Sequence, residues 1–217
     1  MTIRAVLFDL DGTLADTAPD LADALNRLLV ERGHAPIPLE QVRAVTSSGA
    51  RGMLRAGFSI DPTHAEYETL KARFLDLYAE RICRATQLFD GVRDVLAALA
   101  AQAIVWGVVT NKAERFTIPL LAALDILPRP LCVVGGDTTP HAKPHPQPLL
   151  HAAKALGVAP AHCLYVGDDL RDVQAARGAG MRIVAAAYGY LGDGGDPIEW
   201  GADAVIHHPL ELLNYLG

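Results

Sequence analysis

Ile3-Arg4-Ala5-Val6-Leu7-Phe8-Asp9-Leu10-Asp11-Gly12-Thr13 carries an apolar run that stops at two aspartates, a glycine and a threonine. A run that is nearly continuous in apolar character, rather than alternating, suits a strand buried on both faces, as in a parallel sheet. Runs of similar length recur at 104–109, 131–134, 163–166, 182–187 and 204–206. Amphipathic stretches of helical period accompany them at 92–101, 113–124, 146–156, 170–179 and 209–216. From residue 88 onward helix and strand alternate, which predicts an α/β fold with a doubly wound, Rossmann-like parallel sheet.

The first strand breaks the alternation. Residues 16–87 contain no strand-like run and read as helices near 20–32, 39–45, 50–57 and 63–84, with breaks at 33–38 and 47–49. So long a segment is not a loop. The expected organisation is a discontinuous α/β core of residues 1–15 and 88–217, with 16–87 inserted after strand one as a small α-helical cap domain.

With 217 residues, 51% of them hydrophobic and 20% charged, the chain can bury one substantial core and leave enough for such an insert. A net charge of -6 and the lack of any long basic run exclude a footprint for nucleic acid or an anionic membrane. No apolar segment is long enough to span a bilayer. The three cysteines, Cys83, Cys132 and Cys163, are odd in number and far apart, so neither a disulfide framework nor a zinc site is expected and a reducing cytoplasm fits. The eight histidines are not spaced as a ligand set. The sequence leaves monomer and homodimer equally open.

Ligands of open α/β sheets bind beyond the carboxyl ends of the strands. Polar groups accumulate there: Asp9-Leu10-Asp11-Gly12-Thr13 after strand one, Thr110-Asn111-Lys112 after the next, Lys143-Pro144 in a later loop, and Gly167-Asp168-Asp169 with Asp172 beyond. Singly, each has a plain structural use. Aspartate and glycine form turns, Thr110 can end a strand, Lys143 can be solvated, and Asp168 or Asp169 can cap a helix. Together they crowd carboxylates at one sheet edge, which is costly unless a cation sits among them. A hard cation with oxygen ligands, Mg²⁺ above all, meets that need.

In this order the four groups resemble the motifs of the haloacid dehalogenase-like hydrolases, and the helical insert resembles that family's cap. The resemblance spans nearly the whole chain. It implies an Mg²⁺-dependent phosphatase acting on a small phosphorylated metabolite. Asp9 would be the nucleophile, forming an aspartyl-phosphate, and Asp11 the general acid and then base. Asp9, the Asp11 backbone carbonyl and Asp168 would hold the metal, while Asp169 and Asp172 orient its waters. Thr110 and the Asn111 N–H would grip phosphoryl oxygens, Lys143 would neutralise charge on Asp9 and the phosphate, Gly12 would let the chain pass the phosphate closely, and Thr13 would hold the loop.

Asp11 argues against a dehalogenase, which needs no acid on an alkoxide leaving group. A phosphomutase of the same superfamily shares both aspartates and the cap, and a phospho-acceptor signalling or binding module is the non-enzymatic alternative. Lys143-Pro144-His145-Pro146 resembles the phosphoglycolate phosphatases. A closer resemblance, in residues 106–112, 166–172, 188–190, 200–203 and 208–212, is to bacterial N-acetylmuramic acid 6-phosphate phosphatases of cell-wall recycling. Both substrates carry a carboxylate beside a phosphomonoester. Arg51, in Ser47-Ser48-Gly49-Ala50-Arg51-Gly52, is the residue expected to read that carboxylate.

Overall fold

The computed structural model describes residues 2–217. In chain order its elements are β1 (Ala5–Phe8), β2 (Ala15–Asp16), α1 (Ala18–Glu31), α2 (Leu39–Arg43), α3 (Gly49–Phe58), α4 (Tyr67–Ala79), β3 (Gln87–Leu88) and α5 (Val92–Ala101). There follow β4 (Val105–Val109), α6 (Glu114–Ala123), β5 (Cys132–Val134), α7 (Gln147–Leu156), β6 (Cys163–Gly167), α8 (Leu170–Gly178), β7 (Arg182–Ala186) and β8 (Ala204–Ile206). Six strands form one parallel sheet in the order β5-β4-β1-β6-β7-β8, so the fold is the expected doubly wound α/β architecture.

Strand alternation sends side chains to two separate cores. Val6, Phe8, Trp106, Val108, Leu164 and Val166 face one layer, where α5 contributes Leu96 and Leu99 and α6 contributes Leu120. Ala5, Leu7, Tyr165 and Ile183 face the opposite layer, against Leu149 and Ala152 of α7 and Val173 and Ala176 of α8. Burial on both faces is why the strands read as continuous apolar runs. No helix among the described residues is long and apolar enough to cross a membrane.

The chain leaves the sheet through β2 and returns through β3, which pair antiparallel with Ala15 opposite Leu88 and Asp16 opposite Gln87. Two residues per strand give no period, so this pair is invisible to pattern reading. Between them α1 to α4 enclose a third apolar cluster that includes Leu25, Leu28, Met53, Phe74 and Leu77. The helix expected over 63–84 is shorter at both ends. Asp61 takes the Thr63 N–H at 2.8 Å in a turn ahead of it. Buried Asp20 of α1 captures the backbone N–H groups of Arg84, Ala85 and Thr86, at 3.0, 2.9 and 2.8 Å, after it. The stretch at 209–216 is a 3-10 helix, Pro209–Tyr215, rather than an α-helix.

Asp20 therefore anchors the return of the insert to the sheet. Asp20→Asn replaces one accepting oxygen by a donor facing N–H groups, and is expected to destabilise the protein by about 1.5–3 kcal/mol. Urea unfolding should show the loss as a lower midpoint with an unchanged slope.

Candidate active site

The strand register decides which side chains meet. Phe8 lies opposite Val108 of β4 and Val166 of β6, so the residues that follow these three strands emerge side by side at the carboxyl edge. Asp9 continues β1, its N–H donating to the Val166 carbonyl at 2.9 Å. Thr110 continues β4, and its N–H donates to Val134 at 2.9 Å. Asp168 follows β6 directly.

Lys143 reaches this edge from the loop before α7. The loop is clamped to the end of β4 by Asn111, whose side chain donates to the Lys143 carbonyl and accepts from the Lys143 N–H, both at 2.9 Å. The buried ammonium lies 3.0 Å from Asp9 Oδ1 and 2.7 Å from Asp172 Oδ1. It also donates to the Tyr165 hydroxyl at 2.8 Å, which in turn donates to the Val109 carbonyl at 2.8 Å. Asp168 accepts from Thr13 Oγ1 and from the Tyr190 N–H, each at 2.8 Å. The Thr13 hydroxyl thus ties the loop after β1 to the Asp168 carboxylate.

Asp9, Asp168 and Asp172 each offer a carboxylate oxygen within 4.8 Å of the others. Two of these acids, Asp9 and Asp172, share the Lys143 ammonium, and Asp168 has no cationic partner among the described residues. Burial, with the charges of Asp172 and Asp11, pushes the Asp9 carboxyl up to about 6 even though Lys143 pulls it down. Burial and the same crowding of acids raise Asp168 well above the carboxylate range. Burial alone would weaken the Lys143 charge, but Asp172 and Asp9 hold its pKa above the ordinary lysine value. The cluster is short of positive charge, and an all-oxygen donor set at this spacing fits a hard divalent cation such as Mg²⁺. Asp9 keeps 13% of its side chain open, whereas Asp168 and Asp172 are 1% exposed. Of the three, Asp9 is the carboxylate a ligand can reach.

Asp169 stands at the start of α8 beside the acidic cluster. It caps α8, accepting from the Arg171 N–H at 2.8 Å, and its own N–H donates to Asp172 at 3.1 Å. Its carboxylate also pairs with Arg171, whose guanidinium donates at 2.6 Å to the Ser47 carbonyl of the insert. The Asp11 side chain stays out of the carboxylate cluster, accepting from Thr17 Oγ1 at 2.6 Å and from Lys112 Nζ at 2.9 Å. Pattern reading assigned Lys112 no task. Its ammonium lies 4.7 Å from the centre of the Tyr78 ring of α4 and so joins insert, acid and sheet. Burial disfavours the Lys112 charge, yet Asp11 and Tyr78 hold its pKa above the usual lysine range.

These groups floor a cavity of about 240 Å³ roofed by Leu21, Phe74, Leu75 and Tyr78 of the insert and bordered by Phe116 of α6. Ser47, Gly49 and Ala50 also line it. Arg51 does not. On α3 the next three residues, Gly52, Met53 and Leu54, face the interior of the insert, and helical phase turns Arg51 out to solvent. The arginines on the cavity wall are Arg115 and Arg171.

The sequence matches the pattern of the haloacid dehalogenase-like hydrolases over residues 6–186. It is 42% identical over 212 residues to the N-acetylmuramic acid 6-phosphate phosphatase of Pseudomonas putida, covering 98% of this chain and 95% of that protein. It is 48% identical over 211 residues to the phosphoglycolate phosphatase of Xanthomonas campestris pv. campestris, covering 96% and 94%. Among crystal structures, that of a predicted phosphoglycolate phosphatase from Haemophilus somnus matches with a TM-score of 0.87 at 29% identity, over 100% of this chain and 99% of that one.

Gly12 sits at the tightest point of the site. Its φ is +83°, and a Cβ there would lie 2.1 Å from Asp168 Oδ2 and 2.8 Å from the Tyr190 ring. The close neighbour that demands glycine is thus the Asp168 carboxylate. Gly157 has φ +67° with open space around it. Gly157→Ala is expected to cost only the backbone strain of about 1–2 kcal/mol. Gly12→Ala should cost clearly more in the same unfolding measurement, because the carboxylate must move as well.

Proposed function

The chain belongs to the haloacid dehalogenase-like hydrolases and is a phosphatase of that family, and from that premise we propose that it hydrolyses a small, carboxylate-bearing phosphomonoester through an aspartyl-phosphate on Asp9, with Mg²⁺ as cofactor. The observation that carries the reading is the pairing of Asp9, the accessible acid of the buried cluster, with the Lys143 ammonium at 3.0 Å. An anionic nucleophile must approach a phosphate that is itself anionic, and such an approach needs concentrated positive charge.

Asp9, Asp168 and the Asp11 carbonyl would hold Mg²⁺, with Asp172 beside them. When bound, the ion supplies the positive charge that screens nucleophile from phosphate and polarises the phosphoryl oxygens. Thr110 and the Asn111 N–H hold the phosphoryl group in line with Asp9, while Lys143 keeps Asp9 ionised and balances incoming charge. As the bond from Asp9 oxygen to phosphorus forms and the ester P–O bond breaks, Asp11 gives its proton to the leaving alkoxide. Asp11, now a carboxylate, takes a proton from the water that attacks phosphorus. That step breaks the bond to Asp9 and releases inorganic phosphate. Before it can act as acid, Asp11 must exchange the contact with Lys112 for a proton and the substrate oxygen.

Residues 1–15 and 88–217 form the hydrolase core in this reading, and 16–87 the cap that excludes water and contacts the leaving group. The three free cysteines suit a reducing cytoplasm. The relatives' substrates differ in bulk but share a phosphomonoester joined to a carboxylic acid, which is the chemistry adopted for this chain.

Asp9→Asn is expected to abolish turnover, and quenched reactions of the unaltered enzyme should carry an acid-stable, base-labile phosphate on Asp9 by mass spectrometry. Substantial turnover by Asp9→Asn would defeat the covalent route. Asp11→Asn should nearly abolish hydrolysis of alkyl phosphates while sparing more of the aryl phosphate activity, whose phenolate leaves without a proton. Mg²⁺ at about 100 times its Kd should stabilise the folded protein by about 2.7 kcal/mol. Asp168→Asn should lose most of that gain in a thermal melt.

A further inference from the structure

Four cationic side chains line the cavity: Lys112, Lys143, Arg115 and Arg171. Three are already matched by acids. Lys112 lies 2.9 Å from Asp11, Lys143 bridges Asp9 and Asp172, and Arg171 lies 2.8 Å from Asp169. Arg115 alone of the four forms no salt bridge and no side-chain hydrogen bond among the described residues.

The side chain is nevertheless not adrift. Its guanidinium carbon lies 4.6 Å from the centre of the Phe116 ring, and Phe116 is buried with its own ring 5.6 Å from Tyr78. Stacking on an aromatic face restrains a guanidinium and leaves its N–H edge free, the arrangement that accepts a carboxylate in two parallel hydrogen bonds. Arg115 stands in the first turn of α6, on the same strand-to-helix connection that presents Thr110 and Asn111. The phosphate grip and the unmatched cation therefore come from one rigid segment. The roof residues Leu21, Phe74 and Leu75 are apolar and suited to a carbon skeleton.

We propose that Arg115 is the specificity-determining residue that binds the substrate carboxylate, an inference that rests on the phosphatase reading above. The charge that selects an acidic leaving group then belongs to the core, and the cap supplies its apolar cover.

The test compares matched substrates. N-acetylmuramic acid 6-phosphate is paired with N-acetylglucosamine 6-phosphate, which lacks its lactyl carboxylate, and 2-phosphoglycolate is paired with p-nitrophenyl phosphate. Arg115→Ala is expected to lower kcat/KM for at least one carboxylate-bearing member by about 10- to 100-fold, mainly through KM. The carboxylate-free members should change by no more than about twofold. Arg115→Lys should recover part of the loss, since a point charge replaces the fork. A loss confined to the sugar acid or to phosphoglycolate supports the proposal and identifies which carboxylate is read. Equal losses on both members of each pair, or none on any, overturn it, and hydrolysis of p-nitrophenyl phosphate by the unaltered enzyme would then leave the phosphatase reading standing. Failure of the unaltered enzyme to hydrolyse all four esters would defeat that reading itself.

Discussion

The ammonium of Lys143, shared between Asp9 and Asp172 at 3.0 and 2.7 Å, is the interaction on which the site is built. Removing these ions from water costs several kcal/mol each, and attraction offsets the cost only when geometry is tight and the remaining donors and acceptors are filled. The surrounding structure meets that condition. The Tyr165 hydroxyl accepts a hydrogen bond from the ammonium, the Asp169 N–H holds Asp172, and the Asn111 amide fixes the loop from both sides. Even so, a third carboxylate, Asp168, adds to the cluster without a cation of its own, and burial together with the crowding of acids raises the Asp9 and Asp168 carboxyls. A cluster of this composition suits a further positive charge, such as a hard divalent cation.

That arrangement was legible where chemistry coincides with chain punctuation. Asp9, Thr110 and Asp168 each follow a buried strand, and parallel register brings such residues to one edge whatever the details of the helices. Lys143 was legible through its order among the other groups. What escaped were pairings that cross the chain without a period. Lys112 meets Asp11 across 101 positions and meets Tyr78 from the insert, and nothing in the spacing of those residues announces either contact. Asp169 is at once the cap of α8 and a neighbour of the acidic cluster, its N–H donating to Asp172.

Arg51 and Arg115 teach a different lesson. For Arg51 the signal was present: the Gly52-Met53-Leu54 that follows it defines the inward face of α3, and an adjacent arginine must point elsewhere. For Arg115 the neighbouring Phe116 hinted at a stacked guanidinium, but only the fold shows that this turn of α6 borders the cavity. Small residues at Ser47, Gly49 and Ala50 line the cavity, whereas Arg51 on the same segment does not.

The helical insert enters through Ala15–Asp16 and exits through Gln87–Leu88, two strands that pair with one another. Its ends are therefore neighbours, held by a ladder that belongs to neither the sheet nor the helices. A segment whose termini already touch can be lengthened, shortened or exchanged without stretching its host, because the entropy of closing it grows only with the logarithm of its length. The acidic edge of the sheet and the roof above it are thus mechanically separable: the insert can change in length without disturbing the strands that carry the edge.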